Sequence, residues 1–283
     1  MSTPVKVAAF LAALVAAFVA AWGVGNAVDP IATEPAATHD DGHGDSGEES
    51  ESHLPGGLMV SQDGYTLDAQ AQAAAGSDVP ISFRITDPEG ETLTSYDVEH
   101  EKRLHLIAVR RDFTGFQHVH PELHSSGTWL TELDLEPGQW RLFADFKPTG
   151  GEGLTLGTDL LVPGRQGPTQ PTEDTRTAEV DGYVVELAGD LVGGTASRLT
   201  LSVTEDGQPI RTEEYLGASG HLVALREGDL AYLHVHPESV EDLVFVAEVP
   251  SAGRYHLYLD FQVGGVVRTA AFVVTAEGAD HGH

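Results

Sequence analysis

The sequence contains one unit twice, and this duplication restricts the fold more than any other feature of the chain. The first copy includes RLHLIAVRRDFTGFQHVHPE at residues 103–122, and the second includes SGHLVALREGDLAYLHVHPE at residues 219–238. The copies lie about 115 residues apart, which indicates duplication of a whole domain rather than a solenoid of short repeats. A chain of 283 residues also has room for two domains.

Each copy has the pattern of an all-β domain. Short segments rich in Val, Leu, Ile, Thr and aromatic residues alternate with Gly, Pro and Asp, and no long segment with helical periodicity follows residue 28. The late segments PGQWRLFADF (137–146) and AGRYHLYLDF (252–261) resemble the late strand of immunoglobulin-like domains. We therefore predict two tandem, antiparallel, immunoglobulin-like β-sandwich domains at 58–164 and 180–277, joined by a Pro-containing polar linker at 165–179.

The N-terminal sequence predicts export. Residues 7–28 carry no charge and would form a helix of about 33 Å, long enough to cross a bilayer core. Lys6 precedes this segment and an acidic stretch follows it, so the positive-inside rule places the body outside the cytoplasm. We assign residues 1–28 to a transmembrane anchor or a cleaved signal segment, which makes the protein a single-pass cell-membrane protein or a secreted one. The acidic, His-containing stretch 29–57 predicts a disordered tether, and the tail 278–283 has a similar composition.

Composition excludes several classes of function. The chain has 15 Lys and Arg against 44 Asp and Glu, a formal net charge of −29, so we expect no nucleic-acid partner. It has no Cys and only two Met, which excludes disulfides, thiolate chemistry and a Met-rich Cu(I) site. Its 14 His therefore carry most of the remaining chemical information.

The histidines of the second copy are predicted to converge on one sheet face. Gly228–Asp229 is a two-residue hairpin signal between two strand-like segments. A turn centred there places His221 opposite His236 and Val223 opposite His234. Because directly opposed residues and residues two apart share a face, the three imidazoles would lie close enough to bind one ion.

The first copy repeats this arrangement, and each copy adds one carboxylate. A turn centred on Asp112–Phe113 places His105 opposite His120, with His118 on the same face. An Asp precedes the final Phe of each late strand, where it could ligate the ion, bond to a ligating His or cap a turn. The predicted metal ligands of the two copies are His105, His118, His120, Asp145, His221, His234, His236 and Asp260. We predict surface positions for the remaining body histidines His100, His124 and His256, because the other copy has no matching His.

Several functions fit these histidines. Imidazole and carboxylate without thiolate suit Cu(II), Zn(II) or Ni(II), and the Irving–Williams order favours Cu(II) over Zn(II). The same residues also fit a polar or pH-sensitive structural cluster, or an anchored interaction module without metal. A cupin-like metalloenzyme is a further alternative, since His234, His236 and His256 approach a cupin pattern, but the first copy has Arg141 in place of the last His. No Gly-x-Ser-x-Gly elbow or phosphate-binding loop is present, and we expect no enzyme.

The segments HLIAVRRDFTGFQHVHPE and HLVALREGDLAYLHVHPE resemble those of exported bacterial heavy-metal-handling proteins with immunoglobulin-like domains. The broad similarity is to copper-resistance C-type periplasmic carriers, and it covers roughly residues 58–277. The resemblance implies a copper-binding protein that buffers the metal, confers resistance or delivers the metal to a metal-transporting membrane protein, rather than a catalyst. The chain departs from the carrier pattern, because an uncleaved anchor leaves no free N-terminus to act as a ligand.

Overall fold

The computed structural model describes residues 55–167, 173–233 and 235–278. These residues form strands, turns and loops without any helix, as the sequence predicts. It follows that no helix among them has the length and apolar character needed to cross a bilayer. The predicted anchor 1–28, the tether up to residue 54 and the tail from residue 279 lie outside the described residues.

The first domain contains two antiparallel sheets. Its strands are β1 (Ser61–Gln62), β2 (Tyr65–Ala69), β3 (Gly76–Thr86), β4 (Leu104–Arg110), β5 (Gln117–Val119), β6 (Glu122–Leu123), β7 (Trp129–Leu135), β8 (Gly138–Phe146) and β9 (Leu154–Val162). One sheet has the order β1-β2-β3-β7-β6 and the other has the order β5-β4-β8-β9. A core between them includes Ile81, Ile85, Trp129, Trp140 and Leu142.

The second domain repeats this arrangement. Its strands are β10 (Thr177–Val180), β11 (Tyr183–Ala188), β12 (Ala196–Glu205), β13 (Gln208–Ile210), β14 (His221–Arg226), β15 (Tyr232–Leu233), β16 (Val235–Pro237), β17 (Val244–Glu248), β18 (Gly253–Val263) and β19 (Val266–Ala276). The sheets are β10-β11-β12-β17-β16, with β13 beside β12, and β15-β14-β18-β19. The described part of the chain is thus two copies of an immunoglobulin-like β-sandwich, which confirms the predicted fold class and the domain duplication.

The outer sheets have the one-sided burial expected of a sandwich. In β3, Ile81, Phe83 and Ile85 are buried while the residues between them are exposed. This alternation follows from the two-residue period of a strand, which turns every second side chain toward the core.

Each domain has one inner sheet, which is β5-β4-β8-β9 in the first domain and β15-β14-β18-β19 in the second. The two inner sheets are buried on both faces, because the domains pack against each other through them. β4 is buried over six consecutive residues and β18 over seven. Alternate residues of these strands join a third apolar cluster between the domains, which contains Ile107, Val109, Phe143, Val223, Leu225, Leu230, Tyr232 and Tyr258. The two sandwiches therefore belong to one compact unit.

In both domains the chain changes sheets within the His-Val-His-Pro segment. β5 pairs with β4, whereas β6, which begins two residues after His120, pairs with β7 of the opposite sheet. In the second domain β15 pairs with β14, and β16 then pairs with β17. His118 and His120 therefore lie at an edge where the two sheets of the first sandwich meet.

Candidate metal centre

The first-domain hairpin has the register that its turn predicts. Leu106 pairs with Val119 and Ile107 pairs with His118. His105 lies on β4 just before this ladder, and its neighbour on β8 is Asp145. His105 and His118 therefore share the sheet face that points toward the second domain.

The predicted histidines of the first domain come together. His105, His118 and His120 each offer a nitrogen, and these nitrogens all lie within 4.8 Å of one another. The ring centroids are 5.2 Å apart for His105 and His118, 5.0 Å for His105 and His120, and 4.9 Å for His118 and His120. Nitrogens bound to one ion at about 2.0–2.1 Å would lie about 3 Å apart, so some nitrogens of this triad would have to approach one another by up to about 2 Å to share an ion.

In two of the rings, the outer nitrogen, which contacts a residue outside the triad, is a hydrogen-bond donor. His105 Nε2 lies 3.2 Å from the backbone carbonyl of Glu99, and His118 Nδ1 lies 2.7 Å from a carboxylate oxygen of Asp260. Both partners are acceptors, so these two nitrogens carry the N–H hydrogens. A neutral imidazole has one N–H, which leaves lone pairs on His105 Nδ1 and His118 Nε2. These atoms face each other at 3.0 Å, an arrangement that a cation between them would stabilise.

The third ring, that of His120, differs from the other two in the hydrogen bonding of its nitrogens. His120 Nε2 is buried and has no hydrogen-bond partner among the described residues. Burial is the main cause that lowers the pKa of His120 to about 3, and the neighbouring His118 and Lys102 lower it further. Burial and the nearby His118 likewise lower the pKa of His105 to about 3. Both rings are therefore neutral at physiological pH, which is the protonation state that metal ligands require.

The second domain repeats part of this site. His221 begins β14 next to Asp260 on β18, and its Nε2 donates to the carbonyl of Tyr215 at 3.0 Å, as His105 does to its own loop. Burial is the main cause that lowers the pKa of His221 to about 4. Its ring centroid is 6.5 Å from those of both His105 and His118, and it is not a member of the triad.

The predicted partners of His221 are only partly accounted for. Ala224 pairs with Leu233, the register expected from the turn. His236, however, pairs with Val246 on β17, so the prediction that it lies opposite His221 is wrong. The physical reason is the change of sheet after β15, which ends the β14 ladder. His234 and the side chain of His236 lie outside the described residues, so their role as ligands stays a prediction.

The two aspartates occupy equivalent positions but neither belongs to the triad. Asp145 accepts hydrogen bonds from Thr155 at 3.0 Å and from the Tyr232 hydroxyl at 3.4 Å. Asp260 accepts one from the Thr269 hydroxyl and one from His118, a residue of the other domain. The sequence suggested a carboxylate bonded to a ligating His, but not that the two would come from different domains.

The prediction of a surface position is wrong for His256. Its residue is 4% exposed, and its ring stacks on Phe113 of the first domain with centroids 3.7 Å apart. Phe116 stacks on Tyr258 in the same way at 3.9 Å. His100 and His124 are exposed, as expected, although the His100 ring lies 5.2 Å from that of His221.

Fold and repeat together define a class of protein built from two tandem immunoglobulin-like sandwiches. Residues 60–162 and 178–278 match the family described as a domain of unknown function, DUF8832. The chain belongs to this family and carries two copies of its domain. A search of the curated proteins finds no matching relative.

Several solved structures have a detectable likeness to this chain. They include the BSP domain of a biofilm-associated protein (12% identity, 77% of this chain and 30% of that chain, TM-score 0.22). The adhesin InvE of Yersinia pseudotuberculosis (11%, 77% and 60%, TM-score 0.22) and the FN1–FN3 domains of chicken CNTN1 (9%, 79% and 66%, TM-score 0.23) also match. The chain spans less than two thirds of each of these chains, and likenesses of this size carry no argument about function.

Proposed function

We propose that this protein binds a divalent transition metal outside the cytoplasm through His105, His118 and His120. One observation supports the proposal above all others: His105 Nδ1 and His118 Nε2 face each other at 3.0 Å while the other nitrogen of each ring is held by an acceptor. Two lone pairs at this distance repel each other, and a metal ion bound by both nitrogens would remove this repulsion. Bonded outer nitrogens are also the usual arrangement of histidines that ligate metals.

The ligand set favours Cu(II) or Zn(II). Three neutral imidazoles without thiolate suit both ions, and the Irving–Williams order favours Cu(II). Three protein ligands leave at least one coordination position for water or for a ligand from another molecule. An ion held in this way can be exchanged, so the proposed role is metal buffering, resistance or delivery to a metal-transporting membrane protein rather than catalysis.

The proposed location follows from residues outside the described ranges. The uncharged segment 7–28 would anchor the chain in the cell membrane, or direct its secretion if it is cleaved, with both sandwiches outside the cytoplasm. The acidic tether and tail contain further histidines, which would bind metal ions weakly.

Metal titration of the full chain in detergent tests the proposal. Titrations with Cu(II) and with Zn(II), each in competition with a chromophoric chelator, should give saturable binding that exceeds the weak binding of the tether and tail. The double variant His118→Ala/His120→Ala should lose one equivalent, whereas His124→Ala, which removes an exposed His of the same domain, should lose none. Equal binding by the wild type and the double variant would refute a metal site at the triad.

A further inference from the structure

We propose that the second domain completes this metal centre: Asp260 orients His118 across the domain interface, so that metal binding and domain docking strengthen each other. The inference rests on the proposed function and extends it to a positioning residue that provides no metal ligand. It predicts that a change in the second domain weakens a site whose three ligands all belong to the first.

The geometry of Asp260 suits this role. The residue is 3% exposed and lies on β18, in the inner sheet of the second domain. Its Oδ1 accepts a hydrogen bond from Thr269 on the adjacent strand β19, which fixes the carboxylate on its own sheet. Its Oδ2 is directed to His118 Nδ1 at 2.7 Å, and the side chains of both residues are only 4% exposed.

This hydrogen bond determines which nitrogen of His118 can bind a metal. An ionised carboxylate can accept hydrogen bonds but cannot donate them. Asp260 therefore holds the hydrogen on Nδ1 of His118 and leaves the lone pair on Nε2, the atom that faces His105. A carboxylate in this position also makes the imidazole a stronger base toward a metal. Loss of such a partner typically weakens metal binding 10–100-fold.

The first domain contains an equivalent carboxylate, Asp145, which is not bonded to His118 in the part of the chain that the structure describes. Asp145 is the strand neighbour of His105, as Asp260 is of His221, and it is held by Thr155 as Asp260 is held by Thr269. Asp145 also accepts a hydrogen bond from the hydroxyl of Tyr232 in the second domain. Asp145 is therefore a matched control for Asp260 in sequence position and in the hydroxyl that holds it.

Contacts beside Asp260 hold the two inner sheets together. Tyr258, two residues before Asp260 on the same face of β18, donates its hydroxyl to the carbonyl of Phe113 at 2.7 Å and stacks on Phe116. Asp260 therefore reaches His118 only when the two inner sheets are docked. By thermodynamic reciprocity, the factor by which docking strengthens metal binding equals the factor by which the metal strengthens docking.

The first experiment compares Asp260→Asn with Asp145→Asn in the full chain by Zn(II) competition titration. Asparagine keeps the shape of the side chain but removes its charge. We expect Asp260→Asn to weaken Zn(II) binding at the triad 10–100-fold and Asp145→Asn to change it less than 3-fold. Because folding failure would obscure the result, Thr269→Val provides a milder variant that only frees Asp260, with an expected weakening of about 3–10-fold, and Thr155→Val is its control.

Two further measurements distinguish orientation from general damage. In selectively ¹⁵N-histidine-labelled protein without metal, His118 should have its hydrogen on Nδ1 in the wild type and should lose this preference in Asp260→Asn. Hydrogen exchange should show that Zn(II) slows amide exchange along β18 in the wild type, but much less in Asp260→Asn.

The outcomes separate the two proposals. Absence of saturable Zn(II) binding by the wild type would overturn the proposed function and the present inference with it. Wild-type binding that Asp260→Asn leaves unchanged would overturn only the present inference. Weakening by Asp145→Asn in place of Asp260→Asn would overturn it too, because the first domain would then supply the orienting carboxylate itself.

Discussion

His118 and His120 are two residues apart in the same proposed site, but their removal should affect the metal-free protein differently. His118 holds a hydrogen bond to the buried carboxylate of Asp260, whereas His120 Nε2 has no partner among the described residues. We expect His118→Ala to lower the free energy of unfolding considerably and His120→Ala to change it little.

The magnitudes follow from these contacts. Loss of a hydrogen bond to a buried charged carboxylate costs about 1.5–3 kcal/mol, and the lost packing of the ring adds to this cost. Relief of the opposed lone pairs of His105 and His118 returns part of this cost, and Thr269 still bonds to Asp260, so the net loss for His118→Ala should be about 2–3 kcal/mol. A buried polar atom without a partner already costs about 1–3 kcal/mol. Its removal in His120→Ala offsets the lost packing, and the net change should stay within about 1 kcal/mol.

Urea denaturation followed by circular dichroism, at pH 7.5 with EDTA, measures both variants. The double variant His118→Ala/Asp260→Asn provides a control, because a neutral amide is cheaper to leave buried than a carboxylate. It should be at least about 1 kcal/mol more stable than His118→Ala. Equal destabilisation by the two single variants, or no recovery in the double variant, would refute this account of the site.

Three further predictions follow from the buried rings and the interface. The pKa is lowered to about 3 for His105 and His120 and to about 4 for His221, mainly by burial, whereas unfolded His titrates near 6.5. Below pH 6.5 the unfolded chain therefore binds more protons than the folded chain, so acidification lowers the free energy of unfolding of the metal-free protein. The loss should reach up to about 1.4 kcal/mol per pH unit for each ring, and no loss is expected above pH 6.5. Equal urea midpoints at pH 7.5 and 5.5 would contradict this prediction. Tyr258→Phe removes the hydroxyl that donates to the Phe113 carbonyl but keeps the ring, and should cost about 1 kcal/mol in the same urea assay, so an unchanged midpoint would count against the interface. Zn(II) at about 100 times its dissociation constant should raise the free energy of unfolding by about 2.7 kcal/mol, and the His118→Ala/His120→Ala variant should lose the share of this gain that comes from the triad.

The sequence was sufficient for the local geometry of the hairpins. The positions of the turns gave the pairing of Ile107 with His118 and of Ala224 with Leu233. This succeeded because strand register depends on the turn and on the alternation of side chains, both of which are local. The convergence of His105, His118 and His120 followed from the same local rule.

The change of sheet after each hairpin was beyond this reasoning. The alternation of side chains continues through LHVHP whether the chain stays with β14 or moves to β17, so the pattern does not distinguish the two neighbours. His236 consequently pairs with Val246 and not with His221. Which sheet accepts the strand is decided by the packing of the whole sandwich.

The domain interface did leave a signal in the sequence. LHLIAVR and HLVALR are apolar at nearly every position, which is typical of strands buried on both faces. His256 was assigned to the surface because the first copy has Arg141 at the matching position, a comparison that takes no account of packing between the domains. The bond from His118 to Asp260 could not be predicted, because it depends on how the two domains dock.

The inner sheets pack against each other as two subunits of a dimer would, with each domain covering the apolar face of the other. A single copy of the domain would expose the apolar side chains of Ile107, Val109 and Phe143 to water and would self-associate through them. Fusion of the two copies turns that association into an intramolecular one, at an effective concentration that free subunits do not reach. It also lets the halves diverge: the first half has Arg141 where the second has His256, while each half retains its aspartate.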